Sequence, residues 1–297
     1  MGLTVTTVPT VAGYSLARTC APVWWSGGRS PDLDWTGGLT WVGREDRRVI
    51  ARRVASGADG LLIEGGDAAL DERWARDTLG VRALAPLGGD PTVARVAARH
   101  PGTHPFAHGS LYAGLLVSIV GQGVTVAAAA TFQARLAWAF SPSVSVSGRD
   151  RPFWPLPTAA DLADADPTTV RACGVTGRRA AALVAMAREA AAGALPDIAA
   201  SLSDPEGTET LLRSMPLVGP WTARSALLWG VGADDAYPPG DAALLRAARR
   251  AYDDDGLDQR GLLRLSEGWR PSRGRAARLL WLDLLGTPPG GESRSSG

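Results

Sequence analysis

One carboxylate in this sequence follows a loop that is built from proline and glycine. Tyr237 is followed by Pro-Pro-Gly, then by Asp241, and then by an alanine- and leucine-rich stretch typical of a helix. An aspartate at such a position commonly caps the helix by accepting a backbone N–H. A carboxylate held there can also stabilise positive charge in a transition state or position a water molecule. Asp241 is therefore a candidate for such a role, and the simpler alternative is that it is only an N-cap.

The segment upstream of this loop has the pattern of two helices joined by a tight turn. A proline ends the first helix, and Gly219-Pro220 begins the second. Proline at the first helical position leaves neighbouring backbone N–H groups free, and glycine lets an anion approach them closely. We expect this hairpin to bind phosphate, although an ordinary helix corner has the same pattern. The residues assigned to the contact are Pro216, Val218, Gly219, Pro220, Thr222 and Ala223.

Two residue types are scarce enough to exclude several kinds of chemistry. The chain contains no lysine, so Schiff-base catalysis, a pyridoxal phosphate anchor and a Walker A phosphate loop are excluded. Cys20 and Cys173 are too few thiolates for an iron–sulfur cluster or a four-cysteine zinc site. The net charge of +1 indicates no general preference for an acidic partner.

Three histidines recur at intervals of four residues, at His100, His104 and His108. Pro101 and Pro105 prevent one helix from displaying them on a single face, and no nearby carboxylate or cysteine completes a ligand set. We expect loop histidines and no metal site.

The first part of the chain mixes strand and helix patterns, which predicts an α+β N-terminal domain over residues 1–108. Its end is placed in the proline-rich segment 99–109. The predicted strands are Leu39–Val42 and Gly60–Glu64, and the predicted helices are Glu45–Ala55 and Ala69–Leu79.

Residues 109–286 are predicted to form an all-helical region, with the hairpin at about residues 205–231. Residues 287–297 form a glycine- and serine-rich tail that is predicted to be disordered. Helix starts are predicted at the capping positions Pro157-Thr158, Asp166, Thr176, Asp204 and Gly240-Asp241.

A stretch without charged residues runs from Gly109 to Ala134 and is long enough to cross a bilayer. Gly121 and Gly123 lie in its middle, where they favour a turn between helices near residues 109–120 and 124–139. We therefore predict two buried helices and no membrane partner.

The hairpin and the aspartate loop together resemble the helix-hairpin-helix, Gly/Pro-Asp signature of base-excision DNA glycosylases. Within that superfamily, the chain resembles the 3-methyladenine DNA glycosylase II family, the alkylpurine DNA glycosylases, from about Ala69 to Gly286. The matching stretches follow one another in the family's order. They are Ser118–Ala127, Leu156–Leu162, Gly174–Leu183, the hairpin with Trp221-Thr222-Ala223, and Trp269–Trp281.

This resemblance implies a monofunctional glycosylase of base excision repair, which hydrolyses the N-glycosidic bond of alkylated purines such as 3-methyladenine and 7-methylguanine. Asp241 is the catalytic residue that it implies. Trp221 stands where lyase-competent relatives have a lysine, so AP lyase activity is not expected. Alkylated purines can be cationic, and an electron-rich pocket stacks cations well. The implied base-pocket residues are Trp221, Trp281, Tyr112 and Gln122, whereas Trp229 and Trp138 are interpreted as core packing.

Two positions depart from the family pattern. Leu217 replaces the first glycine of the hairpin, so we expect a leucine in a conformation that suits glycine. That change argues against the binding of phosphate or of a monovalent cation at the hairpin, and no organic cofactor is expected. Gly123 is assigned to DNA binding, but it stands where the family has a bulky wedge that fills the gap left by the flipped nucleotide.

Arginines are concentrated between Arg260 and Arg278, where the only acidic residue is Glu267. Arg273 and Arg275 of this stretch are predicted to follow a phosphate backbone. The alternative is a solvated helix face without a partner.

The expected partner is double-stranded DNA, and a monomer that acts in the cytoplasm on the nucleoid is expected. A catalytically weak or inactive protein that binds damaged DNA is the first alternative, and a glycosylase for another lesion is the second. A carboxylate at the mouth of a DNA-facing pocket would repel phosphate, which favours an enzyme over a binding protein.

Overall fold

The computed structural model describes residues 4–45, 48–66 and 68–288. The N-terminal part is an antiparallel sheet with the strand order β1-β5-β4-β3-β2. Its strands are β1 (Val5–Val8), β2 (Leu33–Trp35), β3 (Leu39–Glu45), β4 (Arg48–Gly57) and β5 (Gly60–Glu64).

Two short helices lie between β1 and β2, and in the described part of the chain only helices and an isolated β-bridge between Val144 and Phe153 follow the sheet. The first four are α1 (Leu16–Thr19), α2 (Ala21–Trp25), α3 (Ala68–Leu79) and α4 (Pro91–Arg99). The central helices are α5 (Leu111–Gly121), α6 (Val126–Phe140), α7 (Ala159–Ala163), α8 (Pro167–Ala172), α9 (Gly177–Ala191) and α10 (Ile198–Ser203). The last are α11 (Pro205–Arg213), α12 (Pro220–Val231), α13 (Ala242–Tyr252), α14 (Gln259–Glu267) and α15 (Arg273–Leu285).

This architecture confirms the prediction of an α+β part followed by a helical region. The predicted strands lie in β3 and β5, and the predicted helix after them is α3. All the predicted capping positions are confirmed, because their side chains accept backbone N–H groups of the helices that follow. These N-caps are Thr158, Asp166, Thr176, Asp204 and Asp241.

The predicted helix Glu45–Ala55 is wrong, because Arg48–Gly57 forms strand β4. Arg52 is fully buried in this strand and donates from Nε to Asp71 Oδ1 at 2.8 Å. Val54, two residues further on, is also buried. These alternate positions face the interior, and an arginine in one of them conceals the strand period from an analysis of hydrophobicity.

Two large hydrophobic cores lie among the described residues, together with a small third cluster of Val42, Val146 and Phe153. One joins the sheet to α1–α3 and includes Phe106. The other joins the helices from α5 onward and includes Val93 and Val96 of α4. Helix α4 thus packs on the helical core, whereas Phe106, which follows it in the chain, packs on the sheet core. Because the chain crosses between the cores in this way, a domain boundary near residue 108 stays a proposal.

Helices α5 and α12 pack so closely that only glycine fits between them. A Cβ atom on Gly114 would lie 2.4 Å from the Ala226 carbonyl oxygen and 2.5 Å from the Gly230 Cα atom. The uncharged stretch forms α5 and the first part of α6, as predicted, but of the two only α5 is buried, since α6 exposes Val126 and Trp138. Within the described part of the chain, no helix has the length and hydropathy that crossing a membrane requires.

One tryptophan that was interpreted as core packing is instead at the surface. Trp138 is 55% exposed on α6 and contacts Trp154 edge to face. The interior face of α6 is formed by smaller side chains such as Ala130 and Ala134, so the helix does not need this ring in its core. In the predicted disordered tail, residues 289–297 lie outside the described residues.

Candidate DNA-binding and catalytic site

Asp241 lies at the N-terminus of α13, where its carboxylate accepts two hydrogen bonds. Oδ1 accepts the backbone N–H of Leu244 at 2.7 Å. Oδ2 accepts the indole Nε1–H of Trp221 at 3.0 Å. The Asp241 backbone carbonyl also accepts the Gln259 side-chain amide at 3.3 Å. These contacts hold the carboxylate in one orientation beside the start of α12.

The hairpin between α11 and α12 has the strain that its sequence predicts. Leu217 has a φ of 62°, which confirms that a leucine takes the left-handed conformation. Gly219 is the N-cap of α12, and no side chain caps this helix. A Cβ atom on Gly219 would meet nothing within 4 Å. The N-cap of α12 is therefore open to solvent, as an approaching anion requires.

The predicted phosphate-contact residues of the hairpin fall into two groups. Pro216, Gly219 and Pro220 are exposed, whereas Val218, Thr222 and Ala223 are buried. The three exposed residues can therefore contact a ligand directly, whereas the three buried residues pack inside the hairpin. The assignment of these residues to DNA stays a prediction.

Gln122 connects the end of α5 to this hairpin. Its Nε2 donates to the Leu217 carbonyl and to the Thr222 hydroxyl, each at 2.9 Å. The side chain is thus directed at the hairpin, and its role in base recognition stays a prediction. Gly123, the next residue, is exposed and has a φ of 61°.

The indole of Trp281 packs against a second tryptophan, Trp229. The two rings are 5.6 Å apart and inclined by 27°. Arg278 lies on the same helix as Trp281 and places its guanidinium carbon 4.2 Å from the centre of the Trp229 ring. Burial lowers the pKa of Arg278 to about 9. Trp229 is therefore part of the aromatic group around Trp281, a contact between α12 and α15 that a helical pattern alone does not show.

Tyr112 lines a cavity at the start of α5. This cavity has a volume of about 980 Å³ and lies between β3, α3, the start of α5 and residues 156–159 and 195–199. Asp241, Trp221 and Trp281 are not among the residues that line this cavity. Burial raises the pKa of the Tyr112 phenol. Of the predicted base-pocket residues only Tyr112 lines this cavity, and its role in base recognition stays a prediction.

Arg273 and Arg275 point into the protein. Arg273 is 9% exposed and pairs with Asp235 at 2.7 Å and with Glu267 at 3.0 Å. Arg275 donates to the Ala85 carbonyl at 3.0 Å, and burial lowers its pKa. Both guanidinium groups are thus engaged within the chain. Their assignment to phosphate stays a prediction that these contacts do not favour.

Tyr237 also belongs to this site, although the sequence predicted no role for it beyond its place in the loop motif. Tyr237 is almost fully buried, and its ring meets Trp269 edge to face. Burial raises the pKa of Tyr237 to about 12, and the negative charge of nearby Asp241 contributes to the increase. Its place four residues before Asp241 was the available signal, because the Pro-Pro-Gly turn brings the two close together.

The three regularly spaced histidines lie in three different environments. His100 Nε2 lies 3.0 Å from Asp283 Oδ1, and His104 Nδ1 lies 2.7 Å from the Gly80 carbonyl oxygen. Burial and the charge of Arg278 lower the pKa of His108 to about 4. Among the described residues, no group of three or more histidine, cysteine or acidic side chains has the arrangement of a metal site.

Comparison with known proteins identifies the helical region. Residues 116–271, more than half of the chain, match the family described as HhH-GPD superfamily base excision DNA repair protein. The chain is 32% identical over 165 residues to DNA-3-methyladenine glycosylase 2 of Escherichia coli, covering 55% of this chain and 54% of that protein. It is 30% identical to a probable bifunctional transcriptional activator/DNA repair enzyme AlkA of Mycobacterium tuberculosis, over 67% of this chain and 38% of that protein. The chain thus spans about half or less of these relatives.

The fold is also similar to that of solved glycosylases. A 3-methyladenine DNA glycosylase from Archaeoglobus fulgidus matches with a TM-score of 0.76 at 18% identity, over 95% of this chain and 98% of that one. An 8-oxoguanine glycosylase/lyase from Clostridium acetobutylicum, in complex with DNA, matches with a TM-score of 0.69 at 16% identity, over 90% of each chain. Because both sequence identities are low, these two similarities show a shared fold alone.

Proposed function

Because this chain belongs to the HhH-GPD superfamily of base excision DNA repair proteins, we propose that it is a monofunctional DNA glycosylase. Its proposed substrates are alkylated purines in double-stranded DNA, of the 3-methyladenine and 7-methylguanine type. The observation that carries the proposal is the hydrogen bond of 3.0 Å between Trp221 Nε1 and the Asp241 carboxylate. It joins an aromatic surface for a base to an acid beside the hairpin.

In the proposed reaction, the bond between sugar C1′ and the purine nitrogen breaks, and its electron pair leaves with the base. The Asp241 carboxylate stabilises the positive charge that builds on the sugar. A water oxygen then bonds to C1′, and the water proton passes through Asp241 to solvent. An alkylated purine that carries positive charge in the nucleotide departs as a neutral base, so it needs little further help to leave.

Strand cleavage by a lysine Schiff base is no part of this proposal. The chain has no lysine, and Trp221 occupies the place of the lyase lysine. The expected product is therefore an abasic site in an intact strand. Binding to DNA is assigned to the hairpin, whose exposed Gly219 and uncapped helix start suit a phosphate group.

The experiment compares base release from methylated duplex DNA by the wild type, Asp241→Asn and Trp221→Phe. Asp241→Asn keeps the size of the side chain but loses the charge, so we expect release to fall by about two orders of magnitude or more. Trp221→Phe keeps an aromatic ring but loses the Nε1–H donor, so we expect a smaller loss, of about tenfold. Freed 3-methyladenine and 7-methylguanine are measured separately, and affinity for the same DNA should be retained.

Two results would contradict the proposal. If the wild type binds DNA but releases no alkylated base, the alternative of a damage-binding protein or a glycosylase for another lesion is favoured. If Asp241→Asn releases base as fast as the wild type, Asp241 is only the N-cap of α13.

A further inference from the structure

Gly123 cannot supply the side chain that fills a gap in duplex DNA. It has no side chain, and its φ of 61° lies in the left-handed region, which other residues rarely adopt. A Cβ atom built on it would have one neighbour within 4 Å, the Arg179 Nη2 atom at 4.0 Å. The loop after α5 is thus shaped for glycine, and the side chain beside it comes from another helix.

The polar side chains next to Gly123 are engaged elsewhere. Gln122 donates from Nε2 to both the Leu217 carbonyl and the Thr222 hydroxyl. Thr125 caps α6 by accepting the Ala128 backbone N–H at 3.2 Å. Using either side chain inside a duplex would break a contact that holds the hairpin or α6 in place.

Arg179 is differently placed. It lies in the first turn of α9, is partly exposed, and donates from Nη2 to the backbone carbonyl of Gln122. Among the described residues it has no ion pair with a carboxylate, in contrast to Arg273. One hydrogen bond to a carbonyl therefore holds a charged guanidinium group beside the exposed Gly123, and inserting Arg179 into a duplex would break that bond but no ion pair with a described residue.

We propose that Arg179 enters the duplex beside Gly123 and fills the gap left when the damaged nucleotide rotates out of the stack. Extruding a nucleotide costs stacking and pairing energy, and a side chain inserted between base steps offsets part of that cost. A guanidinium group is planar, stacks on aromatic rings and carries several donors for the unpaired opposite base. This inference rests on the proposed function, since it concerns how the same site extracts its base.

The test measures binding to an uncleavable substrate, so it does not require base release. Affinity is measured for a duplex with a tetrahydrofuran abasic analogue and for the same duplex undamaged, with the wild type and three variants. Arg179→Ala removes the guanidinium group and the bulk of the side chain. Arg179→Leu removes the bond to Gln122 but restores a bulky side chain. Arg178→Ala is the matched control, because Arg178 is the exposed neighbour in the same turn of α9.

We expect Arg179→Ala to lose about tenfold or more in affinity for the abasic duplex and little for the undamaged one. Arg179→Leu should recover most of the preference for the abasic duplex. Arg178→Ala should change both affinities by the same factor, as a phosphate contact does. A 2-aminopurine beside the abasic analogue should show altered fluorescence with the wild type and Arg179→Leu, and not with Arg179→Ala.

Three results would overturn the proposal. Equal loss on both duplexes with Arg179→Ala would make Arg179 a phosphate contact. An Arg179→Leu protein as impaired as Arg179→Ala, with a lowered melting temperature, would make it a cap of α5. Unchanged abasic affinity in Arg179→Ala would exclude any role in the gap.

Base release is measured in parallel and separates the two proposals. If the wild type prefers the abasic duplex through Arg179 but releases no alkylated base, the gap-filling role stands and the alkylpurine function fails. If both proposals hold, Arg179→Ala should lower the rate of base release from a paired lesion. For a lesion opposite an abasic gap, where less stacking must be broken, the loss should be smaller by a factor of at least about ten.

Discussion

At the scale of single residues, the two oxygens of Asp241 have different partners. One accepts the backbone of α13 and the other accepts the Trp221 indole, so the cap and the proposed catalytic group are the same carboxylate. The short loop motif therefore predicts both the start of a helix and the position of the proposed catalytic group. The residue that starts the helix is also the residue whose charge the proposed reaction uses.

Leu217 allows a test of backbone strain at the hairpin. A left-handed conformation costs an L-residue about 1–2 kcal/mol relative to glycine. We expect Leu217→Gly to be more stable than Leu217→Ala by about 1 kcal/mol, because both lose the leucine contacts and only alanine keeps the strain. Urea unfolding of the two variants measures the difference. Equal stabilities would show that the hairpin relaxes without cost.

At the scale of elements, α5 and α12 position the site. α5 carries Gln122 at its end, and α12 carries Trp221 in its first turn. The hydrogen bonds from Gln122 to Leu217 and Thr222 join these two ends. Close packing through Gly114 then fixes how far apart the two helices lie along their length.

This packing predicts that Gly114→Ala destabilises the protein. The added methyl would lie 2.4 Å from the Ala226 carbonyl oxygen, so the helices must separate, at a cost of about 1–3 kcal/mol. Gly121→Ala, in the same helix, is the control, since its added methyl meets only Ala129 Cβ at 4.0 Å. The control should be neutral or slightly stabilising. Thermal unfolding that ranks the two variants alike would refute close packing as the cause.

At the scale of the whole molecule, a sheet and a helical body carry separate cores, and charged groups are buried in the sheet part. Arg52 is held by Asp71 and lies over the rings of Trp41 and Trp74. Asp32 is also buried, at the end of the loop before β2. These groups link the stability of the N-terminal part to charge and not only to apolar contact.

Asp32 predicts a pH dependence of stability. Burial raises its pKa from 3.8 to about 7, partly offset by a backbone hydrogen bond and the charge of Arg151. The folded state then binds a proton more tightly than the unfolded state, so the contribution of Asp32 to stability falls as the pH rises from about 4 through 7. We expect Asp32→Asn to be more stable than the wild type at pH 8, and the gain to shrink at pH 5. Denaturant unfolding at both values is the check, and a gain that is the same at pH 5 and pH 8 would contradict it.

Much of the fold could be predicted because its signals are local. The N-caps Thr158, Asp166 and Thr176 were predictable, since a cap depends on residues within one turn. Strand β4 was not, because the burial of Arg52 depends on its pairing with Asp71 and Glu45, which are residues of other elements. A predictor that treats every arginine as exposed cannot recover such a strand.

The same division holds for the site. The sequence by itself determined Asp241 as a cap, the strained hairpin at Leu217 and the absence of lysine chemistry, because each follows from neighbouring residues or from residue type. Only the tertiary structure decided that Tyr112 lines a cavity whose lining lacks Asp241, that Arg273 pairs with Asp235, and that Arg179 lies beside Gly123. These are contacts between segments far apart along the chain, and helix packing, which no local pattern encodes, sets their distances.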